Sequence, residues 1–590
     1  MLADNRVKSQ SRVGPQDIAI WVAVGLVVAV VALINLAVRA GHKMAGTDID
    51  LSGNPFALVI ETISGQVPFP SPQGWIVLGA AVVILTLVAI VVGLVVSRRG
   101  AKKSRVDDSA RFMGRGKEIE SLSKRAAQSK ASRLGVEDFP GVPIGRELAS
   151  GRELFGSWED LHLDIWGPRM GKTTSRAIPA IMSAPGAVLA TSNKRDLVDA
   201  TIEPRKELGQ VWVFDPQDVA GAQPTWWWNP LSSVTDDVSA IKLAGHFADA
   251  DTGGEPGIGS HWETTASDLL AGFFLAASVG HHPITIVWDW VNDPESREAA
   301  DLLREPFPMM AKQLLGFLHT PDKERGSIFS TARRMASCLR LEHVRPWITD
   351  TDSRPQFAPD EFVLGRNTLY SLSKEGRASA SPLVMALTAA VVAAGERLAT
   401  RSAGGRLATP MVVVLDEAAN VCRWKDLPDL YSHYGSRGII LMTILQSWSQ
   451  GVTVWGETGM KQLWSAANIK VYGGNVGEVS FLDDLSQIIG ERERRITNTS
   501  TGRGGRSVSD HVQKERIMDV SDLAALPRGR AIVISAGNRP ALVRTVPWME
   551  WPFADKVKES LHKNDPQAQA TISTLEKNLA SADQVEVSRG

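Results

Sequence analysis

Met411-Val412-Val413-Val414-Leu415-Asp416-Glu417 is the stretch whose reading decides the fold. Its apolar residues run without alternation, the mark of a strand buried on both faces of a parallel sheet. Two carboxylates then stand at its C-terminal end, where open α/β sheets bind their ligands. Paired acids can also simply close a strand, so the reading needs a partner elsewhere in the chain. That partner lies about 240 residues upstream.

There Leu161-His162-Leu163-Asp164-Ile165-Trp166 alternates as a strand does. It runs into Gly167-Pro168-Arg169-Met170-Gly171-Lys172-Thr173-Thr174, and a helical stretch, Ser175-Arg176-Ala177-Ile178, follows. Strand, glycine-rich turn and helix are the setting of a phosphate-binding loop. Successive N–H groups and the positive end of the helix wrap the phosphates in such a loop. The pattern predicts ATP and Mg²⁺ as ligands. Gly167, Pro168, Arg169, Met170, Gly171, Lys172, Thr173 and Thr174 would line the nucleotide, with Lys172 on the β- and γ-phosphates. Thr173 and Asp416 would hold the metal, and Glu417 would deprotonate the attacking water. One departure stands out. Three residues, where four are usual, separate Gly167 from Gly171, and the first-glycine position counted back from Lys172 falls on Trp166.

A third strand, Gly438-Ile439-Ile440-Leu441-Met442-Thr443-Ile444-Leu445, ends in Gln446-Ser447. Gln446 is thereby placed to sense the γ-phosphate or the attacking water. Arg437, just before that strand, is either an ordinary solvated arginine or one that stabilises charge in a neighbouring subunit's site. Further strand candidates are 186–191, 211–214, 368–371, 469–472 and 531–534. With the helical stretches between them they predict an α/β fold with one large, mostly parallel sheet. The excess between Lys172 and Asp416 reads as a helical insertion, residues 236–351. Trp226-Trp227-Trp228 just ahead of it suits core packing at the junction better than base stacking. Arg492, Arg494, Arg495, Arg503 and Arg506 lie among Gly, Ser and Thr. That predicts an exposed loop, either pore-lining and in touch with phosphates or merely soluble.

Composition adds limits. A chain of 590 residues exceeds one compact domain, and its net charge of -1 decides nothing about a polyanionic partner. Cys338 and Cys422 lie far apart, which excludes a disulfide framework. Residues 18–38 and 75–96 are uncharged apolar runs, each long enough to cross a hydrocarbon core of about 30 Å. Arg6, Lys8 and Arg12 precede the first, and Arg98, Arg99, Lys102, Lys103 and Arg105 follow the second. The excess of basic residues on these flanks puts both termini in the cytoplasm of a two-pass protein in the plasma membrane. From Arg98 to Leu134 twelve Lys and Arg face four Asp and Glu, which reads as a lipid-facing basic segment before a direct nucleic-acid contact. The polar stretch 558–590 reads as a disordered or partner-docking tail.

Together these residues resemble a known family, the TraG-like and VirD-type coupling proteins of type IV secretion. The two spans, the Gly-Pro-Arg-Met-Gly-Lys-Thr loop, Asp416-Glu417-Ala418-Ala419-Asn420 and Leu427-Pro428-Asp429-Leu430 match its pattern. So do Gly435-Ser436-Arg437-Gly438-Ile439, Leu445-Gln446-Ser447, Ala467 to Gly474 and Leu523 to Gly529. The texture, rich in Ala, Val, Gly and Arg, is similar to actinobacterial members. The resemblance implies a RecA-like P-loop NTPase domain with an inserted all-α domain, assembled as a homo-hexamer at the membrane. It also implies an ATPase that links relaxase-bound single-stranded DNA, or a secreted protein, to a type IV secretion channel. Carried over by position, Gln446 is the sensor glutamine and Arg437 the inter-subunit arginine. The expected layout is a membrane anchor at 1–97, a basic linker at 98–150, a nucleotide-binding domain at 151–235 and 352–557, the all-α insert, and the tail. Two alternatives remain at this level. One is a tethered docking receptor whose nucleotide controls assembly. The other is a double-stranded DNA pump of the FtsK sort, disfavoured by a C-terminus too short for a winged helix.

Overall fold

The computed structural model describes residues 15–587 apart from 48, 100–104, 251–259, 352, 375–378 and 503–504; the side chains of 15–29, 85, 88–99, 105, 260–261, 495–511 and 579–587 lie outside that description. The chain forms two units, 1–102 with 585–590, and 103–584.

In the first unit the two apolar runs become helices Pro15–Ala45 and Gln73–Arg99, which pack on each other. Between them the helix Pro55–Ile63, capped by the Asn54 side chain, turns Leu58 and Val59 inward. Leu58 meets Val38 and Val67 in a small apolar cluster. Several side chains of both expected spans fall outside the described residues. Among the described ones, the helix that is long and apolar enough to cross a membrane is Ser381–Arg401, and 61% of its apolar window is buried. It is a core helix of the second unit.

The second unit is built on eleven strands in one sheet. In chain order they are β1 (Val142–Glu147), β2 (Glu153–Gly156), β3 (His162–Ile165), β4 (Val188–Ser192), β5 (Val211–Phe214), β6 (Thr368–Leu372), β7 (Met411–Leu415), β8 (Ile439–Leu445) and β9 (Ile469–Tyr472). A separate hairpin, β10 (Glu491–Gly502) and β11 (Gly505–Arg516), comes next, and β12 (Arg530–Ser535) and β13 (Ala541–Arg544) rejoin the sheet. The order is β2-β1-β13-β12-β9-β3-β8-β7-β4-β6-β5. From β9 to β5 all neighbours are parallel, and from β9 to β2 all are antiparallel. Every residue of β4, β6, β7 and β8 is buried. Helices cover both faces of these strands, so they show unbroken apolar runs in place of alternation.

The stretch between β5 and β6 is helical, from Asp237–Ala250 through Ser260–Val279, Pro308–Leu318 and Asp322–Met335 to Arg345–Ile348. Among the described residues it contains no strand. One apolar core runs from a face of the sheet into these helices. The tryptophan triplet sits at that junction. Trp226 meets Trp212 at 5.2 Å and Trp347 at 5.8 Å, both edge to face, and Trp226 and Trp228 are buried.

Three expectations differ from the structure. The segment read as a basic linker is folded from Arg105 onward. Its charges hide Val106, Met113, Ile119 and Leu122, which enter the cores, and Asp107 pairs with Arg530 at 2.8 Å. The tail read as disordered forms helices Ala554–Asn564 and Ala568–Val587. The first of these buries Val557 and Leu561, and its Ser560 hydroxyl donates to the Asp199 carbonyl at 2.7 Å. The arginine-bearing stretch Arg492 to Arg506 is no loop. It makes up most of the β10–β11 hairpin, with Arg492 opposite Glu515.

Candidate active site

Strand register brings the sequence motifs to one edge. Ile165 pairs with Leu445, Leu415 with Thr443, and Thr191 with Leu415, so β3 and β8 end level and β7 and β4 end within two residues of them. Trp166, Gln446, Asp416 and Asn193 therefore emerge side by side at the C-terminal edge of the sheet, the ligand side of an open α/β fold.

The phosphate loop leaves β3 through Trp166, whose ring is fully buried. The ring lies on Gly473, where a Cβ would stand 2.1 Å from it, so only glycine fits there. The loop is braced by the turn after β9. Gly167 N–H donates to the Gly474 carbonyl at 2.9 Å, and the Asn475 amide donates to the Pro168 carbonyl at 3.1 Å. Arg169 and Gly171 adopt left-handed backbone, φ 63° and 91°. Gly171 supplies that conformation freely, whereas Arg169 holds it at some cost. Among the described residues the N–H groups of Arg169, Met170 and Gly171 donate to no acceptor. That leaves a run of donors at a helix start, the donor set that phosphate oxygens require. Thr173–Ala177 forms a π-helical turn, with the Thr174 hydroxyl donating back to the Gly171 carbonyl at 3.0 Å.

Opposite the loop stand the acids. Asp416 and Glu417 are both buried, and Glu417 is itself left-handed at φ 55°. Lys172 Nζ lies 3.0 Å from Asp416 Oδ1 and also bonds Glu417 Oε1. Gln446 Nε2 donates to both oxygens of Glu417, at 2.7 and 2.6 Å. Burial pushes the Asp416 carboxyl up, and the Lys172 charge pulls it back only in part. Burial works against the Lys172 ammonium, but the two carboxylates outweigh it and hold its pKa above the ordinary value. The structure thus gathers Lys172, Asp416, Glu417 and Gln446 into one group, hydrogen-bonded at Glu417 and ion-paired at Asp416, with Thr173 on the adjoining turn.

It does not bring Arg437 there. That residue lies before the opposite end of β8, a seven-residue strand about 23 Å long that separates it from Gln446. Its guanidinium pairs with Glu396 at 2.9 Å.

Two charged neighbours escaped the sequence reading, Lys194 and Asp196 in the turn after β4. Asp196 opens the helix Asp196–Lys206, and no motif marks it. Burial and the negative charge of Asp416 push its carboxyl up to about 6. An acid with a raised folded-state pKa is stabilising below its unfolded value and loses that advantage as pH rises through the folded value. Asp196→Asn is therefore expected to raise the unfolding midpoint at pH 8, by about 2–3 kcal/mol of stability. The gain should shrink as pH falls from about 6 toward 4, which thermal unfolding across that range would show. A gain independent of pH would contradict the placement.

Residues 410–528 match the family model described as TraM recognition site of TraD and TraG. That segment holds Asp416, Glu417, Arg437, Gln446 and the hairpin, and begins beyond the phosphate loop. Among solved structures, the bacterial conjugative coupling protein TrwBdeltaN70, in an unbound form, is similar over 72% of this chain and 91% of its own, with 18% identity and a TM-score of 0.52. The chain has the fold of a conjugative coupling protein. TrwB in complex with ADP and Mg²⁺ matches at 18% identity and a TM-score of 0.46, covering 66% of this chain and 85% of that one. VirB4 of Thermoanaerobacter pseudethanolicus matches at 13% identity and 0.38, covering 70% and 98%. No curated protein matches the sequence. Within the coupling-protein fold, the parallel half of the sheet carries the acidic pair and the phosphate loop.

Proposed function

We propose that this chain is a membrane-anchored ATPase that brings relaxase-bound single-stranded DNA to a type IV secretion channel and drives its transfer. The convergence of Lys172, Asp416, Glu417 and Gln446 at one edge of a coupling-protein sheet carries this reading. ATP enters along the free N–H groups of the loop. Lys172 then exchanges its carboxylate partners for the β- and γ-phosphate oxygens. Thr173 and Asp416 would hold Mg²⁺, which would supply charge neutralisation at the transferred phosphoryl group. Glu417 accepts the proton of the attacking water, and Gln446, already bonded to Glu417, fixes where that water sits. Arg437 is too distant for its own site, so any catalytic part it plays belongs to the nucleotide of a neighbouring copy in a hexamer.

Helices Pro15–Ala45 and Gln73–Arg99, of 31 and 27 residues against the roughly 20 that span a hydrocarbon core, support the anchor in this reading. The basic residues from Arg98 onward support a motor on the cytoplasmic side.

The full chain, reconstituted in lipid nanodiscs, is expected to hydrolyse ATP only with Mg²⁺ and faster with single-stranded DNA present. Nucleotide binding without turnover at any protein concentration would overturn the motor and leave a docking receptor.

A further inference from the structure

Arg176 is the fourth residue after Lys172, and its side chain is fully buried. Its Nε donates to Asp164 Oδ2 at 2.6 Å and its Nη2 to Asp164 Oδ1 at 3.3 Å. Nη2 also lies 3.0 Å from His162 Nδ1, and Nη1 donates to the Pro143 carbonyl of β1. Burial and the Arg176 charge hold His162 neutral, so its Nδ1 accepts from the guanidinium. Asp164 sits in β3, two residues before Trp166 opens the loop.

This pair joins the strand that enters the phosphate loop to the helix that leaves it. As a source of stability it is a poor choice, because two charges taken out of water gain little over an apolar pair of the same volume. What it supplies is geometry. A planar fork on a carboxylate admits one orientation, which an apolar contact does not impose. The loop above it has need of that constraint. Either it is one residue short between Gly167 and Gly171, or Trp166 stands where the first glycine is usual. The π-helical turn Thr173–Ala177 holds Arg176 within it.

We propose that Arg176 and Asp164 are positioning residues that fix the phosphate loop in register with β3 and so set nucleotide affinity. The proposal rests on the reading of residues 166–174 as a nucleotide site. It separates affinity from chemistry, because neither residue reaches the acids or Gln446.

The test replaces the pair in the full chain by Asp164→Val with Arg176→Met, and separately makes Arg176→Lys. The paired variant is expected to keep the nucleotide-free unfolding midpoint, since apolar replacements of buried ion pairs are commonly tolerated. Its KM for ATP should rise about 10-fold or more while kcat at saturation stays within about 3-fold, the mark of a displaced but intact site. Arg176→Lys keeps the charge and loses the fork, and should show the same split more weakly. It decides the matter if the paired variant fails to fold. Wild-type KM in the paired variant, or a fall in kcat with unchanged KM in either variant, would overturn the proposal. Lys172→Ala run alongside separates the two failures. If it too binds ATP like the wild type, the nucleotide reading is what falls.

Discussion

Glu417→Gln is expected to turn ATP over about 10³-fold more slowly than the wild type, the scale of a lost general base. Nucleotide binding should survive and tighten. Lys172 pairs with both Asp416 and Glu417, so an incoming phosphate competes with two carboxylates for one ammonium. Glutamine keeps the shape and the hydrogen-bonding reach of Glu417 but removes one of the competing charges. Titration with a fluorescent ATP analogue would read the affinity, and phosphate release would read the rate. Turnover near the wild-type level would remove Glu417 from the chemistry. Weaker binding would show that its charge supports the loop and does not compete with the nucleotide.

Lys172→Met should be damaging in two ways that pH separates. Without the ammonium, Asp416 and Glu417 face each other buried and uncompensated, which costs about 3 kcal/mol for a broken buried pair. The Asp416 pKa, already raised, rises further when the Lys172 ammonium paired with it is removed. An acid raised in the folded state loses stability as pH rises toward that pKa, so the deficit against the wild type should be greatest at pH 8 and shrink as the solution is acidified. ATP affinity should fall about 10²-fold with the loss of the charge-assisted bonds to the phosphates. Unfolding curves at pH 5.5 and 8 and direct binding would check both. An equal deficit at the two pH values would mean that the Lys172 contacts with the acids do not govern stability.

Much of this site was legible in the chain because its parts are local. An unbroken apolar run ending in Asp416-Glu417, a strand leading into Gly171-Lys172-Thr173, and a polar Gln446 closing the next strand each announce themselves over a few residues. Their meeting at one sheet edge follows from the rule that parallel strands present their C-terminal ends together. What stayed hidden depends on contacts far apart in sequence. Asp196 gains its significance only because β4 lies beside β7, and Asn475 only because β9 lies beside β3. The basic segment after the second apolar helix concealed Val106, Met113, Ile119, Leu122, Ala127 and Ala131 among twelve cations, so its net charge outweighed its packing in any windowed reading. The C-terminal helix Ala554–Asn564 was missed for a similar reason: its apolar stripe is narrow, and only the groove beside Asp196–Lys206 gives it a place.

The shared core at the junction of sheet and helical insert has a mechanical consequence. Trp212, Phe214, Trp226, Trp347 and Phe357 interlock there, and interiors packed this way resist compression and transmit strain. Among the described residues the insert and the sheet share one packed interior. A rotation at the strand ends that carry Lys172 and Glu417 would therefore reach the far surface of the insert as a tilt, amplified by the length of the arm.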